Sequence, residues 1–207
     1  MKNLELWIFG GGGHSKIIAD TALSLNKYGK ITIFDKNFSE DTKNILNECN
    51  FKTEQPSNTN YEGIDSFIGI GDGIIRKKIK DKFYKHNFCN LVSNDALVSK
   101  KSFIETGVFI APKAIININS HISEQVIVNT NAVVEHDCKI GAFSHIGPSS
   151  VLCGGVTLKE NVFIGAKSCI NPGIQICNNV LIGSGCVVTN DINEPGIYTG
   201  IPAKKKS

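Results

Sequence analysis

The sequence has few of the features that mark membrane, secreted or nucleic-acid-binding proteins. No apolar run approaches the ~20 residues that a membrane span needs, and the first residues lack the long apolar stretch and cleavage site of a secretory signal. The net charge is only +3 and the basic residues are scattered apart from short runs such as Lys204–Lys206, so we expect neither a membrane nor a nucleic-acid partner. The seven cysteines include no C-x-x-C pair, which favours a reduced cytoplasmic protein over a disulfide framework.

A strict repeat of six residues fills the second half of the chain, from Val92 to Val188. Every sixth position in this range is Ile, Leu or Val, and four residues after each stands a mostly small residue such as Ala132 or Cys138. A period of six fits neither an α-helix nor a simple strand. It is the signature of a parallel β-helix, in which short strands are joined by tight turns.

Residues 1–90 have no such repeat and are predicted to form a separate Rossmann-like half domain, followed by the β-helix and its tail in residues 91–207. The predicted order is strand, helix, strand, strand, helix, at Leu4–Phe9, His14–Lys27, Ile31–Phe34, Ser66–Gly71 and Ile74–His86. The polar stretch 36–62 is predicted to be mostly loop. This order is half of a doubly wound nucleotide-binding fold.

Four glycines, Gly10–Gly13, lie between the first strand and the first helix. Glycines permit a tight turn there, and the free N–H groups at the helix N-terminus attract phosphate. The match to G-x-G-x-x-G is imperfect because Ser15 replaces the third glycine, so a tight turn without a ligand is the alternative. Asp35, at the end of the second strand, either accepts hydrogen bonds from a nucleotide or is an ordinary polar strand end.

Three hexads make one coil, so residues eighteen apart share a column of the prism. His136, Gly154 and Pro172 form one column, and Asp137, Gly155 and Gly173 form the next. Bare backbone therefore stacks on a histidine, where a substrate can approach an N–H group closely. A neighbouring carboxylate orients an imidazole and increases its basicity, but the sequence leaves open whether Glu135 or Asp137 turns back to do so. The alternative is a solvated corner histidine.

His145 is the second candidate, one and a half sides of the coil beyond His136. Within one subunit the two should not meet, so a shared site would need two subunits and hence an oligomer. His86 and His121 have no comparable surroundings and are predicted to be surface residues.

The chain also carries segments that are typical of one family. These are Gly10–His14, FIGIGDGIIRKKI at 67–79, IVNTNAVVEHDCKIGAFSHIG at 127–147, the hexads, and TGIPAK at 199–204. In them the chain resembles the hexapeptide-repeat nucleotide-sugar acetyltransferases, namely the N-acetyltransferases of bacillosamine-type pathways and the related sialic acid O-acetyltransferases. The resemblance implies an α/β domain followed by a left-handed β-helix. It also implies a homotrimer that binds acetyl-CoA between adjacent prisms and needs no metal.

The resemblance assigns roles to individual residues. His136 is the implied general base, Asp137 increases its basicity, and the Gly154 N–H stabilises the oxyanion. The implied acetyl-CoA groove comprises His145, Ala166 and Ser184, and the implied nucleotide-sugar site comprises Gly12, Gly13, His14, Asp35, Lys36 and Gly71. The chain departs from the family where Ser15 replaces a glycine and where Lys36 replaces a second acid found in some uridine-binding members. These departures leave the nucleotide open.

The predicted function is direct transfer of an acetyl group to the amine of a nucleotide-linked amino sugar, such as a UDP-4-amino sugar, for surface glycan biosynthesis. O-acetylation of a sialic acid or another sugar hydroxyl needs the same base and is the main alternative. A zinc hydrase with three histidines from two subunits and a non-catalytic trimeric scaffold are two further alternatives.

Overall fold

The computed structural model describes residues 4–59 and 61–206 and begins with a small α/β unit. Its elements are β1 (Glu5–Phe9), α1 (Gly13–Ser24), β2 (Lys30–Phe34), α2 (Glu40–Ile45), β3 (Asn50–Lys52), β4 (Ile64–Ile68) and α3 (Gly73–Lys82). The four strands form one parallel sheet in the order β3-β2-β1-β4. The predicted Rossmann-like half domain is thereby confirmed. None of the described helices has the length and hydropathy of a membrane span.

The described residues of 36–62 are mostly loop, as predicted, but two short elements, α2 and β3, also lie among them. The Ser39 side chain caps α2 by accepting a hydrogen bond from the Thr42 N–H at 3.2 Å. Two acids, Glu40 and Asp41, occupy its first turn, where their negative charges interact favourably with the positive end of the helix dipole. β3 has only three residues and exists through its pairing with β2, which a polar local sequence does not reveal.

Seventeen short strands then build a parallel β-helix, which confirms the architecture predicted from the hexads. The strands are β5 (Leu91–Val92), β6 (Leu97–Val98), β7 (Phe103–Ile104), β8 (Phe109–Ile110), β9 (Ile115–Ile116), β10 (His121–Ile122), β11 (Ile127–Val128), β12 (Val133–Val134), β13 (Lys139–Ile140), β14 (His145–Ile146), β15 (Val151–Leu152), β16 (Thr157–Leu158), β17 (Phe163–Ile164), β18 (Cys169–Ile170), β19 (Gln175–Ile176), β20 (Val180–Ile182) and β21 (Val187–Val188). They form a five-stranded sheet (β19-β16-β13-β10-β7), a six-stranded sheet (β21-β18-β15-β12-β9-β6) and an eight-stranded sheet that runs from β5 to β20 and on into the chain end.

Each strand pairs in parallel with the strand one coil later, so the columns of eighteen are real. Val133 lies opposite Val151, and Val134 lies opposite Leu152. The second residue of each pair points inward; Val134 and Leu152 are fully buried in one continuous core that also holds Cys138. Branched side chains suit this position because they pack closely against their stacked neighbours.

The corners of the coil repeat a left-handed backbone conformation every six residues. The non-glycine residues with positive φ at these corners are Lys113, Asn119, Gln125, Asn131, Asp137, Phe143, Ser149, Asn161, Lys167 and Asn179. Asparagine is frequent among them because its short polar side chain tolerates this conformation better than most. The fold therefore fixes the backbone at Asp137, where φ is 62°.

The three outer faces of the prism differ in chemistry. The five-stranded sheet presents mostly polar residues, including His121, Lys139 and Gln175. The eight-stranded sheet is covered by the α/β unit at its first strands, where Phe109 and Ile127 are buried. The six-stranded sheet presents one column without a charged side chain, formed by Leu97, Ile115, Val133, Val151, Cys169 and Val187.

The stacking continues after the hexads end at Val188. Ile192 bridges to Ile176, and β22 (Gly196–Thr199) pairs in parallel with β20. β23 (Lys204–Lys205) then returns antiparallel to β22. The stacked strands of the β-helix thus continue beyond the six-residue repeat from which the β-helix was predicted.

A buried arginine joins the two parts of the molecule. Arg76, on α3, is 1% exposed and donates hydrogen bonds only to main-chain carbonyls. Its guanidinium reaches Ile70 O at 3.0 Å and Gly71 O at 2.7 Å in the α/β unit. It also reaches three carbonyls of the β-helix, namely Gln125 O at 3.0 Å, Phe143 O at 2.6 Å and Ser144 O at 3.1 Å. This geometry fixes the α/β unit against the eight-stranded sheet.

Candidate active site

His136 and Asp137 form a hydrogen-bonded pair at the corner between the six-stranded and five-stranded sheets. His136 Nδ1 lies 2.7 Å from Asp137 Oδ2. Because a carboxylate only accepts, Nδ1 carries the proton and Nε2 is left as an acceptor facing solvent. The left-handed backbone at Asp137 turns its side chain back towards His136. The sequence left open whether Glu135 or Asp137 contacts the imidazole, and in the structure it is Asp137.

The other neighbouring acid, Glu135, points elsewhere. Its Oε2 accepts a hydrogen bond from Asn117 Nδ2 at 2.9 Å. Asp137 itself has a second partner, because its Oδ1 accepts from Asn119 Nδ2 at 2.6 Å. Hydrogen bonds from Asn119 and His136 hold the pKa of the Asp137 carboxyl below its usual value. The acid is therefore ionised at neutral pH and able to stabilise a protonated imidazole.

Gly154 stacks directly on His136, as the column of eighteen predicts. A Cβ at Gly154 would lie 2.5 Å from His136 Cε1 and 2.6 Å from Nε2, so no larger residue fits while the ring stays in place. The neighbouring Cys153 and Gly155 donate their N–H groups to Ile170 O and His136 O. Within the described part of the chain, the Gly154 N–H makes no main-chain hydrogen bond. The Gly154 backbone, with its available N–H, therefore lies against the edge of the ring that carries Nε2.

His145 occupies a contrasting, buried environment on the eight-stranded sheet. Its Nδ1 lies 3.2 Å from Gly71 O, and its Nε2 lies 3.0 Å from Asn129 Nδ2. A carbonyl accepts and an amide nitrogen donates, so the ring is neutral with its proton on Nδ1. Burial lowers the pKa of His145 to about 3, and the nearby Arg76 charge acts in the same direction.

His14 lies beside His145, with 5.6 Å between the ring centroids. Burial, and to a smaller extent Arg76, lowers the pKa of His14 to about 4. Three predicted site residues, His14, Gly71 and His145, are therefore brought together where the α/β unit meets the β-helix. The resemblance had divided them between two ligands, whereas the structure gathers them in one place.

The glycine loop lies at the N-terminus of α1. Gly12 is the residue before the helix, and a Cβ at Gly12 or Gly13 would have no atom within 4 Å, so the loop borders open space. The Asp35 carboxylate is held against this loop, with Oδ2 accepting from Gly11 N at 2.5 Å and Oδ1 accepting from Asn37 N at 3.2 Å. Lys36 is exposed immediately beyond it.

Ala166 and Ser184 lie in one column at the corner where the eight-stranded sheet turns into the six-stranded sheet. His136 and Gly154 lie at the opposite edge of that same six-stranded sheet. Within one chain, the predicted base and the predicted acetyl-CoA groove are thus separated by the whole width of one face. The structure does not bring them together in a single subunit.

Three residues of the site region had no role assigned from the sequence. Asn129 lies in the family-like segment 127–147, but it points to His145 only because the α/β unit docks there. In the sequence, Arg76 looks like an ordinary surface residue of an amphipathic helix. Asn119 could have been found from its position one coil before Asp137.

The prediction for His121 is confirmed, since its side chain is exposed and paired with Glu105 at 2.7 Å. The prediction for His86 is wrong. Its Nδ1 contacts Ser66 Oγ at 3.0 Å, its Nε2 contacts Ser57 O at 3.0 Å, and it is buried among aromatic rings.

Two family descriptions match separate parts of the chain. The PglD N-terminal domain matches residues 5–83, and the bacterial transferase hexapeptide (six repeats) matches residues 155–190.

Solved structures match nearly the whole chain. The acetyltransferase domain of PglB from Neisseria gonorrhoeae is 30% identical with a TM-score of 0.89, and the match covers 98% of this chain and 99% of that one. The chain belongs to the hexapeptide-repeat nucleotide-sugar acetyltransferases. As a member of that family it is an acyltransferase, as the sequence predicted.

Two further structures of these acetyltransferases contain ligands. The same PglB domain in complex with acetyl coenzyme A is 29% identical, with a TM-score of 0.88 and coverage of 98% of both chains. PerB from Caulobacter crescentus, in complex with CoA and GDP-perosamine, is 30% identical, with a TM-score of 0.82 over 98% of this chain and 97% of that one.

Proposed function

We propose that the protein transfers the acetyl group of acetyl-CoA to the amine of a nucleotide-linked amino sugar for surface glycan biosynthesis, with His136 as the general base. The observation that carries the proposal is the His136–Asp137 pair, whose free Nε2 is on the ring edge that lies against the backbone of Gly154. The PglB domain that binds acetyl coenzyme A and PerB, which binds CoA and GDP-perosamine, support the two substrate classes.

The chemistry requires one proton transfer and one charge-stabilising donor. The sugar amine attacks the thioester carbonyl while His136 Nε2 removes the amine proton. The Gly154 N–H stabilises the developing oxyanion, a contribution typically worth ~3 kcal/mol per donor. The C–S bond then breaks, CoA leaves as the thiolate, and the imidazolium, held by the Asp137 carboxylate, returns its proton to the thiolate or to water. The step uses no metal and no covalent enzyme intermediate.

The two substrates approach from different sides of the site. The nucleotide diphosphate binds at the open loop of Gly12 and Gly13, where the N-terminus of α1 favours negative charge. Asp35 holds the loop and, with Lys36, faces the nucleoside. The sugar extends towards His14, Gly71 and His145. The pantetheine arm of acetyl-CoA runs along the corner column of Ala166 and Ser184 beside His145.

A complete site requires a second subunit, and we propose a homotrimer. The uncharged column from Leu97 to Val187 on the six-stranded sheet is the surface that a neighbouring copy covers. Covering this face brings the His136 edge of one prism next to the Ala166 edge of another. The predicted groove for acetyl-CoA then lies between prisms.

An assay with a substrate panel tests the reaction. Purified protein is incubated with acetyl-CoA and UDP-, dTDP- and GDP-linked amino sugars, with free sialic acids in parallel. We expect an acetamide product that is stable to hydroxylamine from one nucleotide class. Replacing His136 by Ala should lower kcat by about 10³-fold, whereas His121→Ala leaves it unchanged. An ester product on a sialic acid would instead establish the O-acetyltransferase, and full activity in His136→Ala would reject the general base.

Subunit mixing tests the shared site. Inactive His136→Ala and His145→Ala chains are unfolded together and reassembled as mixed oligomers. If one site uses His136 from one copy and His145 from its neighbour, mixing should restore about a quarter of wild-type activity. No recovery in oligomers shown to be mixed would place both histidines of a site in one chain.

A further inference from the structure

We infer that Asn119 is a positioning residue that holds the Asp137 carboxylate in the orientation that His136 needs. The inference rests on the proposed role of His136 as the base. Asn119 itself touches no reacting atom in this scheme. It acts through Asp137, one coil above it in the same corner column.

The Asp137 carboxylate bridges two side chains. Its Oδ1 accepts from Asn119 Nδ2 at 2.6 Å, and its Oδ2 accepts from His136 Nδ1 at 2.7 Å. Half of the Asp137 side chain is exposed, and the only described side chains that hold it are these two. A hydrogen bond to an ionised oxygen is short and strong, so Asn119 restricts rotation of the carboxylate about its Cβ–Cγ bond.

The same hexad position at another corner of the prism shows what Asn119 adds. Asn161 Nδ2 donates to Asn179 Oδ1 at 2.8 Å, again one coil apart and again with both residues at positive φ. This ladder is a structural device that ties consecutive coils together. At Asn119 the acceptor is an ionised acid whose second oxygen holds the imidazole. The hydrogen bond from Asn119 therefore ties two coils together and also fixes the residue that contacts His136.

Glu135 cannot substitute for this arrangement. It is the nearest other carboxylate along the chain, and its Oε2 is engaged by Asn117 Nδ2 at 2.9 Å. If Asn119 is removed, the Asp137 carboxylate is free to turn towards solvent. The imidazole then loses both its fixed tautomer and its fixed ring plane.

Matched glycine variants separate positioning from stability. Glycine accepts the positive φ of 60° at Asn119 and 58° at Asn179 without strain. Asn119→Gly and Asn179→Gly therefore each remove one side-chain hydrogen bond between coils and leave the backbone conformation unstrained. We expect both variants to change the melting temperature equally. Asn119→Gly should lower kcat about tenfold with unchanged KM for both substrates, whereas Asn179→Gly should leave kcat at the wild-type value.

A double-mutant cycle tests the route through Asp137. In an Asp137→Gly background, Asn119→Gly should cause no further loss of kcat, because the carboxylate that it positions is gone. Equal kcat for the Asn119 and Asn179 variants, or a tenfold loss that persists in the Asp137→Gly background, would overturn the inference while leaving His136 as the base. Full activity of His136→Ala would show that the proposed function itself has failed.

Discussion

His136 and His145 are nine residues apart in one β-helix, but their environments are opposite. The His136 side chain is 57% exposed on a corner, and its hydrogen-bond partner among residues 4–59 and 61–206 is an ionised carboxylate. His145 is 8% exposed on a face, and its partners are a main-chain carbonyl and an amide. The first environment leaves one ring nitrogen free next to an ionised acid, whereas the second holds a neutral ring in one tautomer.

The difference shows how one repeat produces two kinds of histidine. The hexad places both rings outside the hydrophobic core. The α/β unit then covers the face of His145, and the left-handed corner supplies Asp137 to His136. The docking of the α/β unit and the left-handed turn at Asp137, rather than the repeat itself, therefore produce the two different histidine environments.

Replacing Arg76 by Met should break this contrast and have the largest effect on stability. Five main-chain carbonyls lose the hydrogen bond from Arg76, and the α/β unit loses this attachment to the face that buries His145. We expect the free energy of unfolding to fall by about 3 kcal/mol, measured by denaturant titration at a fixed protein concentration. Hydrogen exchange should show faster exchange at Gly71. Lys78→Met, an exposed change on the same helix, is the control and should have little effect.

Equal stability of the two variants would mean that the apolar contacts between the unit and the β-helix suffice without Arg76.

Replacing Gly154 by Ala should sharpen the contrast by disabling only the exposed histidine. The new Cβ occupies the place of the His136 ring, so the ring must swing away from Asp137 and from the Gly154 backbone. We expect kcat to fall by about 10²-fold. The melting temperature should hardly change, because the displaced ring is at the surface and φ at Gly154 is not positive.

The matched control is Gly154→Ala in a His136→Ala background, where the methyl group has no ring to displace. A further hundredfold loss in that background would show that the substitution acts on the backbone donor instead.

The pH dependence of stability should reveal the buried ring, with a smaller effect. The pKa of His145 is about 3 in the folded protein and about 6.5 in an unfolded chain. The unfolded chain therefore binds more protons between these values, and stability falls as the pH drops through this window. From pH 7.5 to pH 5 this group should cost about 2 kcal/mol of unfolding free energy.

His145→Gln should remove that part of the pH dependence, whereas His121→Gln at the surface should leave the slope of the wild type unchanged. An unchanged slope in His145→Gln would mean that the ring can protonate without leaving its site.

The architecture was predictable because the signal is repeated. Seventeen inward positions, each Ile, Leu or Val, impose one period. Because residues eighteen apart share a column, the same period also predicts that Gly154 stacks on His136, as it does in the structure. Elements with a single weak signal were missed: β3 depends on pairing with β2, and the burial of His86 depends on aromatic residues brought in from distant parts of the chain.

The site was predictable only where it follows the repeat. The choice of Asp137 over Glu135 needed the left-handed corner, which the asparagines at the same corner position indicate in retrospect. The meeting of Gly71, Asn129 and His145 depends on how a non-repeating unit docks on the β-helix. No periodicity in the sequence records that docking, and Arg76 contributes to it through main-chain carbonyls, which any sequence supplies.

The junction at Arg76 also fixes the height at which the α/β unit sits on the β-helix. The α/β unit is attached to fixed rungs through Gln125, Phe143 and Ser144, and adjacent rungs are separated by ~4.8 Å. His136 lies between Gln125 and Phe143 in the sequence, so inserting one coil there would separate the carbonyls that Arg76 holds together and would break the junction. Coils can instead be added beyond the part of the β-helix that the α/β unit contacts, so the prism can change length while the distance from the glycine loop to His136 within one chain stays the same.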